Sequence, residues 1–406
     1  MSKSNFFIGQ PIFSQLLSLI PRHFITAAAR QHKSDHYCKR FDTYHHLVTM
    51  LFSIYNNCSS LREITTGLLA WSRRINHIGL TYFPPKSTLA DANVRRNADA
   101  FGDIYLKLLE LHGNLLPDSR SKKQNASRTF IIDSTVVTLF SEILRGTGRI
   151  DQHGRRKGGI KVNTVVRSDQ DVPCMVGFSE AKSNDVKFLQ QLSFPRGSIT
   201  VFDKGYLDYK TYNRFTEEGV TWVTRIKKNA SYILLEDREV SDKNSREGIT
   251  GDKEIMIGNP HHKDANKARA RLVCFKDPST KDEYEFISNN FRMAPITIAN
   301  YYKKRWQIEL LFKRLKQNYQ LKYFLGESEN AIKIQIWCIL IADLLLKVIK
   351  NQTRCKSSFS NLVSIVRLNA MAYLDLRMFL KTSESELHKQ IKERNKRNKI
   401  PSLFIT

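Results

Sequence analysis

Apolar residues recur at helical spacing near both ends of this chain and at strand spacing between them. Leu47, Met50, Leu51 and Ile54 mark a helix over 42–55. Ser60-Leu61-Arg62-Glu63 has the serine-to-glutamate spacing of a capping box and opens a second helix running through Trp71. Pro84-Pro85 interrupts the pattern, Ser87 is placed to cap the next helix, and 97–112 continues the helical reading. Residues 115–127, polar and basic with Pro117, read as a linker.

From Thr129 the pattern changes. Residues 129–137 are rich in Ile, Val, Thr and Phe and predict a buried strand with Asp133 inside it. A glycine-rich basic loop is expected over 145–159. Strands follow at 160–166 and 173–179, split by the turn signal Ser168-Asp169-Gln170-Asp171. A helix at 184–192, a strand at 198–202 ending on Asp203, a helix at 208–218 closed by Gly219, and a strand at 221–226 complete the series. Strand, strand, strand, helix, strand, helix, strand predicts a mixed sheet flanked by helices.

Residues 232–235, 254–257, 269–275 and 283–288 add a β-rich excursion before helix returns at Ile296. The most apolar run, 334–349, reads as a buried core helix. It is too short to span a bilayer and contains Asp343 and Lys347. The expected organisation is therefore mixed α/β: a helical domain over 1–120 whose interspersed basic residues suit DNA binding, a core split into 121–230 and 289–350 by an insertion at 231–288, and a helical basic segment over 351–406 ending in a cationic stretch.

Charge narrows the function classes. Against 39 acids stand 65 Lys and Arg, a formal net charge of +26, which points to a polyanionic partner, most commonly nucleic acid. No basic amphipathic helix or lipid-anchor motif argues for a membrane surface. Gln10 and Pro11 break the N-terminal apolar residues, so no signal peptide is expected. Six scattered cysteines without a C-x-x-C pair suggest reduced thiols in a cytosol and give no zinc site. The adjacent pairs His45-His46 and His261-His262 do not share a helix face and make poor metal ligands alone.

Residues 302–316, YKKRWQIELLFKRLK, hold one carboxylate, Glu309, among cations and apolar residues. On a continuous helix Tyr302, Arg305, Glu309 and Lys316 fall within a stripe about 60° wide. Trp306, Ile308, Leu310, Leu311, Phe312 and Leu315 fill much of the rest, which predicts a packed internal helix. Taken alone, Glu309 paired with Lys313 explains it. Asp133 in an apolar strand and Asp203 at a strand end are similarly placed acids that need cations. Three separate ion pairs satisfy that need. So does one shared site in which the carboxylates hold Mg²⁺ or Mn²⁺ and position phosphodiester oxygens. Trp222 and Trp306 are expected in the core rather than stacked on bases.

Tyr302-x2-Arg305-x3-Glu309-x6-Lys316 resembles the Y-R-E-K signature of DDE transposases of the fourth insertion-sequence family. Asp133 in IIDST resembles the family's first aspartate and Asp203 in Asp203-Lys204-Gly205-Tyr206 the second. Arg225 and Lys227 resemble the basic pair that follows. The resemblance runs from about residue 129 to 349. It implies a ribonuclease-H-like core with a β insertion, and two Mg²⁺ ions, replaceable by Mn²⁺, on Asp133, Asp203 and Glu309. It further implies DNA contacts from Tyr302, Arg305, Lys316, Arg225 and Lys227, with cleavage and strand transfer at terminal inverted repeats. A homodimer on double-stranded DNA and a bacterial cytoplasmic, nucleoid-associated location follow from the same likeness. A ribonuclease-H-class nuclease and a catalytically idle DNA binder are the rival readings.

Overall fold

The computed structural model describes residues 9–116, 128–138, 159–258, 267–319, 321 and 324–382, with a few positions between 386 and 393. Expectations for 117–127, 145–158, the His261-His262 pair and the cationic tail from Arg394 lie outside the described residues. The chain divides into two compact units. One holds 1–115, 318–326 and 330–406; the other holds 116–317 and 327–329. The segment 289–350 is thus shared: its first helices go with the sheet, its last with the N-terminal helices.

The helical unit contains α1 (Ile12–Leu17), α2 (Arg22–Gln31), α3 (Thr43–Tyr55), α4 (Leu61–Ala70), α5 (Lys86–Arg95) and α6 (Asp99–His112). The long helix α12 (Glu329–Thr353) then brings α13 (Phe359–Asn369) and α14 (Leu376–Lys381). Asp42 caps α3 through the His45 amide, and Ser60 caps α4 by accepting from the Glu63 amide at 3.2 Å. The Glu63 carboxylate returns to the Ser59 amide rather than that of Ser60. Ser87 does not cap: α5 starts at Lys86 after Pro85, whose fixed φ suits a helix start. The run 334–349 is buried as expected inside α12, where the Ala342 carbonyl accepts from the Tyr55 hydroxyl at 3.1 Å. No helix among the described residues is long and apolar enough to cross a membrane.

The second unit is built on one nine-stranded mixed sheet with helices α7 (Val186–Gln191), α8 (Tyr209–Glu217), α9 (Asp242–Arg246), α10 (Pro295–Lys303) and α11 (Trp306–Asn318). Its strands are β1 (Thr129–Thr138), β2 (Gly159–Arg167), β3 (Pro173–Glu180), β4 (Ile199–Phe202), β5 (Thr221–Arg225), β6 (Tyr232–Arg238), β7 (Ile249–Ile257), β8 (Ala268–Lys276) and β9 (Glu283–Ser288). They lie in the order β3-β2-β1-β4-β5-β9-β8-β7-β6. β1 pairs parallel with β4, and β4 with β5; the other neighbours are antiparallel. Two antiparallel strands beside three parallel ones fit the ribonuclease-H-like core expected. The β-rich excursion does not form a separate layer: β9, β8, β7 and β6 extend the same sheet.

Side chains alternate across that sheet. Ile132, Phe202 and Trp222 enter an apolar cluster with Tyr206, Tyr212 and Phe215 on one face. Ile199, Val201 and Val223 pack on the other against Ile298, Tyr301 and Tyr302 of α10 (Pro295–Lys303). Trp222 is fully buried, as expected, its indole donating to the Tyr212 carbonyl at 3.1 Å.

Candidate active site

Parallel pairing places two of the acids. Ile132 lies opposite Phe202 in the β1–β4 ladder, so Asp133 and Asp203 are the next residue on each of two adjacent strands. Strand neighbours lie about 4.8 Å apart, and both side chains leave on the face opposite the Ile132–Phe202 core. The turn that follows keeps Asp203 in place: its carboxylate accepts from the Gly205 amide at 3.3 Å. Ends of parallel strands are where open α/β sheets build their sites.

The third acid arrives differently from expectation. Residues 302–316 are not one helix. The α10 helix ends at Lys303 and α11 (Trp306–Asn318) begins after a turn at Lys304 and Arg305. The amides of Arg305 and Ile308 donate three residues back, to Tyr302 and Arg305, so the coil tightens there and the single stripe is broken. Nor is α11 packed all round. Ile308, Leu311, Phe312 and Leu315 are buried, but Trp306 is 60% and Leu310 52% exposed. The expectation that Trp306 packs in the core is overturned, because only one face of α11 meets protein.

The break is useful to the site, since it aims Tyr302 and Arg305 separately. Tyr302, buried against the Phe286 ring, donates its hydroxyl to Asp203 at 3.2 Å. Arg305 reaches Asp133 at 3.1 Å and Glu309 at 2.6 Å. Asp133 and Glu309 thus meet at one guanidinium, which also lies over the ring of Tyr302, the residue that holds Asp203. The i,i+4 partner of Glu309 is Arg305 on its N-terminal side, in place of the expected Lys313.

The remaining cations are less engaged. Arg225, at the end of β5, lies over the Tyr284 ring at 5.1 Å and close enough to Tyr302 to favour its ionised form. Lys227 is exposed just beyond β5. Lys316 is exposed on α11 and pairs with no carboxylate among the described residues; its ammonium is pushed below the ordinary lysine value by partial desolvation. Burial pushes the Tyr302 phenol up to about 12, so it stays a neutral donor.

Charge at this pole does not balance. Burial is the main reason the Asp133 carboxyl is pushed up to about 6. The Ser134 amide and Arg305 oppose that shift, while Asp203 and Glu309 add to it. Asp133 and Glu309 share one arginine, and Asp203 is held by the neutral Tyr302 hydroxyl and Gly205 amide. Hard carboxylate oxygens of three acids at one pole of the sheet are donors that fit a divalent ion. Among the described residues no three of His, Cys, Asp and Glu stand together closely enough to hold one as they are, and Arg305 lies between Asp133 and Glu309.

Several supporting residues gave no signal in the sequence. Lys161 on β2 is almost fully buried and donates to Asp185 at 2.9 Å, which also accepts from Ser134 at 2.9 Å, next to Asp133. Arg314 of α11 is paired with Asp171 in the β2–β3 turn, and the Ser168 hydroxyl meets Gln307 at 3.4 Å. The contacts of Arg314 and Gln307 clamp the Glu309 helix onto the sheet. Each joins residues remote in sequence, so spacing alone could not reveal them.

The chain belongs to the DDE transposase family: the family model described as "Transposase DDE domain" matches residues 124–345, more than half its length. Members are enzymes that cleave DNA and transfer strands with the help of divalent metal ions, and this protein is a DNA transposase that binds DNA. A second model, a "Domain of unknown function (DUF4372)", matches residues 8–81. Among curated relatives, "Putative transposase y4zB" of Sinorhizobium fredii is 28% identical over 65% of this chain and 71% of its own. "Putative transposase for insertion sequence element IS4SA" of a Synechocystis species is 28% identical over 71% and 78%. The solved piggyBac transposase synaptic complex with hairpin DNA aligns over 97% of this chain and 87% of that one, at 12% identity and a TM-score of 0.41, too loosely to carry an argument.

Proposed function

We propose that Asp133, Asp203 and Glu309 are the catalytic acids of this transposase and hold two Mg²⁺ ions, with Mn²⁺ able to replace them. The single observation that carries this is the shared guanidinium: Arg305 pairs with Asp133 and Glu309, 176 positions apart in the chain, beside an Asp203 held by Tyr302. Bound there, divalent ions supply Lewis acidity to the phosphodiester and to the attacking oxygen.

The chain's own residues do the positioning. With divalent ions held by the acids, Arg305 and Lys316 would be the residues that bind phosphate oxygens beside the scissile bond. The Tyr302 hydroxyl, uncharged throughout the neutral range, orients Asp203 and can turn to a phosphate. Arg225 and Lys227 extend the contact along the strand. The reaction assigned is cut-and-paste transposition of the fourth insertion-sequence type. The terminal inverted repeats are cut, and the freed 3′-hydroxyl is then joined to target DNA. Holding both reactants in line contributes heavily to such displacements. A homodimer bridging two ends, working at the bacterial nucleoid, is the assembly that suits it.

Glu309→Gln tests this reading. Cleavage of duplexes carrying the gene's flanking ends should fall on the order of a hundred- to a thousandfold, with end binding retained. Cutting at the wild-type rate refutes the assignment. Cleaved product without joined product from the wild-type protein identifies a nuclease, and binding alone an idle binder.

A further inference from the structure

The helical unit holds a basic cleft that the catalytic assignment does not use. Between α2 and α3 the chain makes a compact turn in which Lys33 and Tyr37 adopt left-handed backbone, at φ 49° and 61°. Non-glycine residues hold that conformation only where surroundings enforce it. The enforcement here is visible. Arg96, 4% exposed, sends its guanidinium under the turn to the carbonyls of Ser34 at 3.3 Å and Phe41 at 2.6 Å. Asp35 accepts from the Thr43 amide and hydroxyl at 2.7 and 2.8 Å. The turn is therefore a braced platform.

The platform lines a cleft of about 680 Å³ whose walls include Lys33, Lys39, Arg40 and Arg95 over the buried Arg96. One carboxylate, Asp91, shares the lining, and Arg95 takes it at 2.7 Å. No carboxylate among the described residues pairs with Lys33, Lys39 or Arg40. Tyr37 stands at the rim, 92% exposed, its ring 3.9 Å from that of His36. Three unpaired cations and a bare aromatic ring on a fixed turn form an anion site with a stacking surface beside it. A solvated lysine face would need neither the strained backbone nor the exposed ring.

We propose that this cleft docks the phosphate backbone of duplex DNA, with Lys33, Lys39 and Arg40 on phosphates and Tyr37 against a sugar or base. The identity of the polyanion rests on the transposase reading; the anion site rests on the cleft. Binding of the full-length protein to fluorescent duplexes cut from the gene's flanks is measured across a salt series. Lys39→Ala/Arg40→Ala should weaken it about tenfold and lower the salt slope by about two. Tyr37→Ala should weaken it about fivefold, and Tyr37→Phe should restore it. Lys356→Ala/Arg377→Ala, which removes two exposed charges elsewhere on the same unit, should leave binding unchanged. Matched losses in both double variants, or none in either, overturn the proposal. The catalytic reading fails separately, through cutting by Glu309→Gln, because that variant keeps the cleft.

Discussion

Buried acids occur at two places on the same sheet, and their partners differ. On β7, Asp252 and Glu254 are 5% and 4% exposed. Arg271 grips Asp252 with two parallel contacts of 2.7 and 2.6 Å, and Glu254 is held by Arg238 at 3.2 Å and by Arg269. Each acid there has at least one arginine of its own. At the ends of β1 and β4, Asp133 has to share Arg305 with Glu309 of α11, and Asp203 is held by neutral donors, the Tyr302 hydroxyl and the Gly205 amide. Matched charge with good geometry satisfies burial and leaves nothing for a ligand. Unmatched charge keeps a cost that a bound cation can relieve. On the proposed reading, the difference separates acids that hold the sheet together from acids that work.

Breaking the matched set should cost most in stability. Asp252→Asn leaves Arg271 buried without its anion and should lower unfolding free energy by about 3–5 kcal/mol, read by chemical denaturation. A change below 1 kcal/mol would erase the contrast.

The unmatched set should respond with the opposite sign. A carboxyl whose folded pKa is raised costs stability when ionised. That cost is absent below its ordinary value of 3.8, grows as pH rises, and is complete above about 6. Asp133→Asn should therefore stabilise the protein by roughly 1–3 kcal/mol at pH 7, and by nothing at pH 3.5, while abolishing cleavage. Destabilisation at pH 7 would show that Asp133 is a structural partner of Arg305.

The smallest effect is expected at the edge of the pole. Lys316→Ala removes an exposed, unpaired ammonium and should weaken end binding or cleavage roughly three- to tenfold with melting unchanged. An unaltered reaction removes Lys316 from the site.

Much of this was legible in the chain. The strands carrying Asp133 and Asp203 are short β-branched runs between turn signals, and local chemistry fixes such elements. Glu309 was legible through its neighbours at fixed spacing. The kink at Lys304-Arg305 was not, because tightened i→i−3 turns leave no mark on an apolar pattern. The exposure of Trp306 and Leu310 was not, because a helical wheel counts apolar residues without knowing which faces are covered. Asp252 and Arg271 went unnoticed because their pairing depends on the β7–β8 register. The same holds for Arg96, whose partners lie more than fifty positions away.

The central claim is that the pole of Asp133, Asp203 and Glu309, and not the paired acids of β7, is where divalent cations bind. Mn²⁺ bound by the protein with an uncleavable flanking duplex, counted by electron paramagnetic resonance, tests it directly. Wild type and Asp252→Asn, kept below its melting temperature, should bind Mn²⁺ alike, while Asp133→Asn, Asp203→Asn and Glu309→Gln should each lose bound ion. Equal Mn²⁺ binding by all five proteins would contradict the account.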